Sequence, residues 1–205
     1  MPLQNRVAPD GTLHDVAARG LFMGNRGGRI HDPDTRSLTN RRWASKVWIC
    51  CVTSFRNRHR TVWGRSYTEL FFLDEVTALA AGHRPCFECR WGDAIGFAKA
   101  WARGRNELGR ARAAAMDIVL HGERTSPARQ TLPLLQALAL PDGAIVAFND
   151  QPFAVRHGQL LPWSFDGYGA GVEPEADAVL TLLTPPSIVN ALRAGYRPVW
   201  HESAG

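Results

Sequence analysis

Cys86 and Cys89 stand two residues apart in "HRPCFECR", and Cys50 and Cys51 are adjacent in "KVWICCVTSF". A C-x-x-C turn offers two thiolates to one ion, and tetrahedral zinc takes four ligands. The remaining ligands must come from distant parts of the chain. Residues 46–55 are apolar, aromatic and β-branched, as a buried strand is, so Cys50 and Cys51 point to opposite faces and only one reaches a given site. His14, His31, His59 and His83 are candidates for the fourth position. The candidate ligand set is therefore Cys86, Cys89, Cys51, Cys50 and His31, and zinc is the expected cofactor. Two other chemistries fit a C-x-x-C: a redox pair, or ordinary reduced thiols. Redox pairs open a helix after a strand, where the helix N-terminus lowers the thiol pKa; this motif instead follows a helix end.

Three further groups of residues have types suited to chemistry. The stretch "RNRHRTVWGR" carries Arg56, Arg58, His59, Arg60 and Arg65 with Trp63 among them. Arginine grips phosphates and tryptophan stacks on bases, so the loop is a candidate nucleic-acid contact, against the plainer reading of a solvated hairpin tip. In "MDIVLHGER", Asp117 and His121 lie four residues apart with Glu123 nearby. On a helix that spacing pairs a carboxylate with an imidazole for acid–base work, and equally describes a surface ion pair. In "LLPWSFDGYGAG", Trp163, Asp166 and Tyr168 could rim an aromatic pocket or simply fill a core. The Gly- and Arg-rich "MGNRGGRIH" lacks the Lys-Ser/Thr ending of a phosphate-binding loop.

The elements that must position these groups follow from the pattern. A strand at 46–55 and a partner at 66–73 read as a hairpin whose tip is the basic loop. Asp74 is a helix N-cap for "EVTALAA", Gly82 ends that helix, and Pro85 blocks its resumption. Helices follow from Trp91, over 106–121, and in "LLQALAL". From Asp142 the texture changes to "GAIVAF", "QPFAVRHG" and "QLLPWSF", short strands joined by "ND" and "HG" turns in an antiparallel meander. "AVLTLLT" is a further strand and "PPSIVNALRAG" a terminal helix with proline in its first turn. The first 40 residues or so read as loop. "ALAAGHRP" (78–85) and "ALRAGYRP" (191–198) match at six of eight positions, as two independent uses of one helix-stop signal would.

Residues 70–90, "LFFLDEVTALAAGHRPCFECR", resemble the second half of the N-terminal zinc domain of bacterial Ada proteins, which repair methylated DNA phosphotriesters. Gly82, Arg84, Pro85, Cys86 and Cys89 match that family's Ala-Gly-aromatic-Arg-Pro-Cys-x-x-Cys pattern. With the strand at 46–55 included, the resemblance spans about 45 of 205 residues. It implies a zinc-and-sheet module that contacts DNA. In the family the first two zinc cysteines lie in the loop after the first strand, and one accepts the methyl group. The equivalent loop here has no cysteine, and Cys50 and Cys51 lie inside the strand.

The expected architecture is α+β: an Ada-like zinc-binding hairpin and helix module with a helical extension over 1–135, and a small antiparallel β-roll with a terminal helix over 136–205. Lysine and arginine outnumber aspartate and glutamate by 24 to 19, and only Lys46 and Lys99 are lysines. That bias suits nucleic acid, DNA above all, although a GC-rich genome also produces it. No apolar run reaches membrane-spanning length and no signal peptide is evident, so a cytoplasmic protein is expected. The expected function is zinc-dependent DNA binding in repair or damage recognition. The alternative is an enzyme on nucleic acid or nucleotides, either hydrolase- or glycosylase-like or a thiol-based alkyl acceptor.

Overall fold

The computed structural model describes residues 2–59 and 61–205. It is a mixed α+β protein built on two six-stranded sheets. The first sheet contains β1 (Arg6–Val7), β2 (Leu13–His14) and β3 (Phe22–Arg26); β4 (His31–Asp32) and β5 (Ser37–Leu38) form a separate two-stranded ribbon. β6 (Trp48–Val52), β7 (Leu70–Phe72) and β8 (Arg84–Pro85) complete the first sheet in the order β2-β1-β7-β3-β6-β8.

The hairpin expected over 46–73 does not form: β6 and β7 each pair antiparallel with β3, which lies between them. The strand that separates them comes from the segment expected to be loop. Its sequence, "FMGNR", hides its strand character behind a glycine, but Gly24 is required there. A Cβ at Gly24 would fall 2.1 Å from the Ile49 carbonyl oxygen and 2.9 Å from the Phe72 ring.

Register divides the first sheet into two faces. Met23 is the cross-strand partner of both Cys51 and Phe71, while Gly24 is that of Cys50 and Leu70. Because side chains alternate along a strand, Cys51 and Cys50 face opposite sides. The Cys50 side packs with Phe22, Leu70 and Phe72 against α1 (Glu75–Ala80), which contributes Ala78. Asp74 caps α1, accepting from Thr77 N at 2.9 Å and Thr77 Oγ1 at 2.8 Å. It also accepts from Tyr168 Oη at 2.9 Å and His201 N at 3.0 Å, so the cap ties α1 to the C-terminal part of the chain.

α2 (Trp91–Arg103) and α3 (Ala113–Thr125) follow, the second starting seven residues later than the apolar pattern from 106 predicts. The second sheet contains β9 (Thr131–Pro133), β10 (Ile145–Phe148), β11 (Gln151–Arg156), β12 (Gln159–Ser164), β13 (Gly167–Tyr168) and β14 (Val179–Leu182), ordered β13-β12-β11-β10-β14-β9. α4 (Leu134–Leu138) follows β9, and α5 (Pro186–Arg193) follows β14. The meander turns are as the sequence suggests, with positive φ at Asn149, Asp150, His157 and Gly158. That is the backbone two-residue hairpin loops demand.

The cores cross the soft boundary expected near residue 135. Leu79, Phe97 and Met116 share one apolar cluster with Ile188 and Leu192 from α5. Leu73 and Val76 share another with Ile145 and Trp163. Each large apolar side chain buried this way contributes about 1.5–3 kcal/mol. The two "AL-x-AG-x-RP" segments fold alike: His83 N donates to Ala78 O at 2.9 Å, and Tyr196 N to Ala191 O at 3.1 Å, each past a glycine with positive φ. No helix among the described residues is long and apolar enough to cross a membrane.

Candidate metal centre

The sulfur atoms of Cys51, Cys86 and Cys89 lie within 4.8 Å of one another. Cys51 comes from β6. β8 runs parallel to β6 with Cys50 opposite Pro85, and Cys86 N donates to Cys50 O at 2.9 Å, which carries the next residue, Cys86, to the level of Cys51. The chain then turns tightly: Arg90 N donates to Cys86 O at 3.0 Å and Glu88 N to Cys86 Sγ at 3.4 Å. That turn returns Cys89 to the cluster.

The three sulfurs could hold a metal ion. Tetrahedral Zn–S bonds of about 2.3 Å require sulfurs roughly 3.8 Å apart, a spacing inside the 4.8 Å that bounds the cluster. The Glu88 amide directed at Cys86 Sγ stabilises a thiolate there. The three thiols hydrogen-bond one another. Hydrogen bonds from Cys51 and Cys89 drive Cys86 down to about 2, and Cys51, donating to Cys86 and Cys89, is pushed up. Zinc bound in the cluster would replace those protons and supply positive charge to three thiolates.

Two buried ion pairs pin the cysteine turn at both ends. Before it, Arg84 holds Asp117 of α3 in a bidentate pair, Nε and Nη2 each 2.8 Å from a carboxylate oxygen. After it, Arg90 Nη2 donates to Glu75 Oε2 of α1 at 2.8 Å. Glu75 also accepts from Tyr196 Oη at 2.5 Å and Val199 N at 2.9 Å. The cysteine turn is thus bolted to α1 and α3 by bonds that planar guanidinium forks make geometrically specific.

The cluster opens onto a cavity of about 330 Å³ lined also by Met23, Asn25, Phe55, His59, Tyr67 and Glu69. Glu69, absent from the sequence-based candidates, is the chief addition. It is 4% exposed; its Oε2 accepts from Trp63 N at 2.9 Å, and its Oε1 is buried with no hydrogen-bond partner. Strand alternation through Leu70–Phe72 would have placed Glu69 and Phe71 on one face, but only the hidden strand β3 relates that face to Cys51.

The structure sorts the other candidate ligands. Cys50 is fully buried on the opposite face, where Arg90 Nη1 donates to its Sγ at 3.4 Å and burial raises its pKa well above the ordinary thiol value. It does not join the cluster. Both ring nitrogens of His31 are engaged: Nε2 with Gly64 O at 2.8 Å and Nδ1 with Thr68 Oγ1 at 2.6 Å. The Thr68 hydroxyl accepts from Ile30 N, so it donates to Nδ1 and leaves the ring proton on Nε2. His14 bonds Thr12 Oγ1, and His83 is buried against Trp48 and Phe72. Of the four histidines considered, His59 alone lines the cysteine cavity.

In the basic loop, Arg56, Arg58, His59 and Arg65 are exposed, and Arg60 lies outside the described residues. Arg58 pairs with Glu88 at 2.7 Å, beside the cysteine turn. Trp63, expected as a stacking residue of this loop, is instead 1% exposed, stacked on His31 with its indole N–H donated to Glu69 O. Two donors satisfied by one glutamate hold it inside.

Asp117, His121 and Glu123 do not converge. Asp117 is committed to Arg84, His121 lies edge-on to Trp43, and Glu123 accepts from Ser187 Oγ at 2.5 Å. Trp163 and Tyr168 are core residues, donating to Thr77 and Asp74 respectively, while Asp166 is exposed at the turn before β13. They form no common pocket because hydrogen bonds to α1 draw both aromatics inward. Comparison with protein-family models, curated proteins and solved structures finds no match for the chain.

Proposed function

We propose that the protein is a zinc-thiolate DNA-binding protein that meets DNA across the cysteine-bearing face of its first sheet, in a repair or damage-recognition setting. The observation that carries this reading is the junction of Cys51, Cys86 and Cys89 with a cavity lined by exposed Arg58 and His59, in a loop that also carries exposed Arg56. Cationic side chains there can hold phosphates while the cavity admits a group projecting from the strand. Trp91, two residues beyond Cys89 and 62% exposed, provides an aromatic face of the kind Trp63 was expected to offer. The Ada-like pattern from Gly82 to Cys89 supports the same reading.

Metal analysis of native protein tests its first half: about one equivalent of zinc is expected, lost in Cys86→Ser, and less than about half an equivalent in the unsubstituted protein removes the reading. DNA binding tests the second. Affinity should fall steeply with salt, and Arg56→Gln with Arg58→Gln should flatten the log–log slope by about 2. Binding that ignores salt, or no binding, overturns it.

The half-exposed position of Cys89 at the cavity favours one further reading, the thiol-based alkyl acceptor. The sulfur lone pair would attack an alkyl carbon, forming an S–C bond as the C–O bond to a DNA phosphate breaks and the phosphodiester leaves as the anion. Incubation with a methyl phosphotriester oligonucleotide should add one methyl mass to Cys89 or its cluster partners. An unmodified protein that still binds the oligonucleotide leaves DNA binding alone.

A further inference from the structure

Behind the sheet, away from the cysteines, lies a second polar centre. Arg26 and Trp48 are cross-strand partners, and the Arg26 guanidinium sits over the Trp48 indole, 4.2 Å from Cζ to ring centroid. Arg124, from the last turn of α3, lies over the same indole at 3.9 Å. Arg26 is 4% exposed and donates to backbone carbonyls only, those of Gly11 at 2.6 Å and Arg42 at 3.5 Å. Arg124 likewise donates to the carbonyls of Gly82 at 2.8 Å and Lys46 at 2.7 Å. The Nε of each is buried without a partner, and among the described residues no carboxylate forms an ion pair with either.

Carbonyl dipoles satisfy hydrogen-bond geometry without neutralising a charge, and an unpaired buried cation is expensive. Arg26 is such a cation here, and the half-buried Arg124 shares its aromatic ring. Burial pulls Arg26 down to about 9, with Arg42 adding repulsion and Asp10 opposing it, and burial pulls Arg124 to about 9, opposed by the more distant Asp117 and helped by repulsion from Arg26 and Arg84. Contrast Arg84 and Arg90, which each have a buried carboxylate. The fold therefore pairs Arg84 and Arg90 internally, and leaves Arg26 and Arg124 without a carboxylate ion pair among the described residues.

Arg26 and Arg124 line a cavity of about 210 Å³ together with Arg42, Arg129 and Trp48. The acids on its wall are Asp10 and Glu123, so four arginines against two acids leave a lining charge of +2. Both acids are already turned to other donors, Asp10 to Thr12 and Glu123 to Ser187. We infer that this cavity is an anion site that takes a phosphate group, whose negative charge (up to two in a monoester, one in a diester) is drawn to the surplus and whose oxygens suit several guanidinium forks at once. The phosphate comes either from a small monoester or from a nucleic-acid backbone. The site shares no lining residue with the cysteine cavity, so its loss leaves the zinc reading untouched.

The test is thermal denaturation of the full chain at constant ionic strength with inorganic phosphate, a nucleoside monophosphate, or a short single-stranded oligonucleotide without a terminal phosphate, each against chloride. At ten times the dissociation constant a rise in Tm of roughly 3 to 6 °C is expected. Arg124→Gln should abolish most of it. Arg42→Gln, at the exposed rim, should weaken binding at least about threefold by loss of one charge-assisted contact, and carries the test if Arg124→Gln does not fold. A rise with phosphate and the monophosphate assigns the site to monoesters. A rise confined to the oligonucleotide, and lost in the variants, assigns it to a backbone phosphate. No rise with any probe beyond chloride, or equal rises in wild type and the folded variants, overturns the inference.

Discussion

Asp117→Ala separates the structural from the catalytic role of this residue. Asp117 and Arg84 are 6% and 5% exposed, and both carboxylate oxygens are used by the guanidinium at 2.8 Å. Removing the carboxylate leaves the Arg84 guanidinium buried with the Pro85 carbonyl at 3.2 Å and the Phe87 ring face as its remaining contacts among the described residues. Breaking a buried pair in this way costs about 3–5 kcal/mol. At about 2–4 °C of Tm per kcal/mol for a chain of this size, the expected fall is roughly 6 to 20 °C. Because Arg84 stands two residues before Cys86, zinc should also dissociate more readily. Combining Asp117→Leu with Arg84→Met should restore much of the stability, since an apolar pair fills the space without desolvating charge. The assay is a two-by-two cycle of urea denaturation, with zinc release followed in each variant. A loss below about 1 kcal/mol for Asp117→Ala refutes the clamp, and lost turnover at unchanged Tm would return Asp117 to catalysis.

Two other outcomes follow from placement on the sheet. Cys50→Ala should keep full zinc content, because Cys50 faces α1, whereas Cys51→Ser should lose the metal; equal losses would contradict the assigned faces. Asp74 gives a pH signature. Burial, its largest influence, raises its pKa from 3.8 despite four hydrogen bonds. The protonated form is thus favoured in the fold, and the stability it contributes below the unfolded value is lost as pH rises through the higher folded value. The stability advantage of wild type over Asp74→Asn, measured by urea denaturation, should therefore shrink as pH climbs from about 4; an advantage that grows would show the opposite shift.

Local signals made much of the molecule legible. Asp74, Gly82 and Pro85 bracketed a helix because capping and left-handed backbone are properties of single residues. The "ND" and "HG" turns announced the meander for the same reason. Alternation alone implied that only one of Cys50 and Cys51 could serve the C-x-x-C site. What escaped was set by partners distant in sequence. β3 carries Gly24 where periodicity expects a side chain, because two neighbouring strands press against it. Trp63 reads as a loop-tip aromatic until Glu69, six residues on, takes both of its N–H groups.

Arginine was the least legible residue type, and its placement carries the deepest consequence. In sequence the arginines form one undifferentiated basic bias. In space they divide by what neutralises them. Arg84 and Arg90 meet carboxylates of two helices and fix the ends of the cysteine turn, so the helices that build the core also set the sulfur positions. Arg56 and Arg65 are left to solvent, whereas Arg26 is drawn inside and Arg124 half-buried, with backbone carbonyls and the Trp48 indole for company. A charge that solvent can reach costs little to leave unpaired, but a buried one does not, so the second kind is the stronger pointer to an absent ligand. By that reasoning the anion cavity behind the sheet rests on firmer physical ground than the exposed basic loop, even though the loop is what a reader of the sequence notices first.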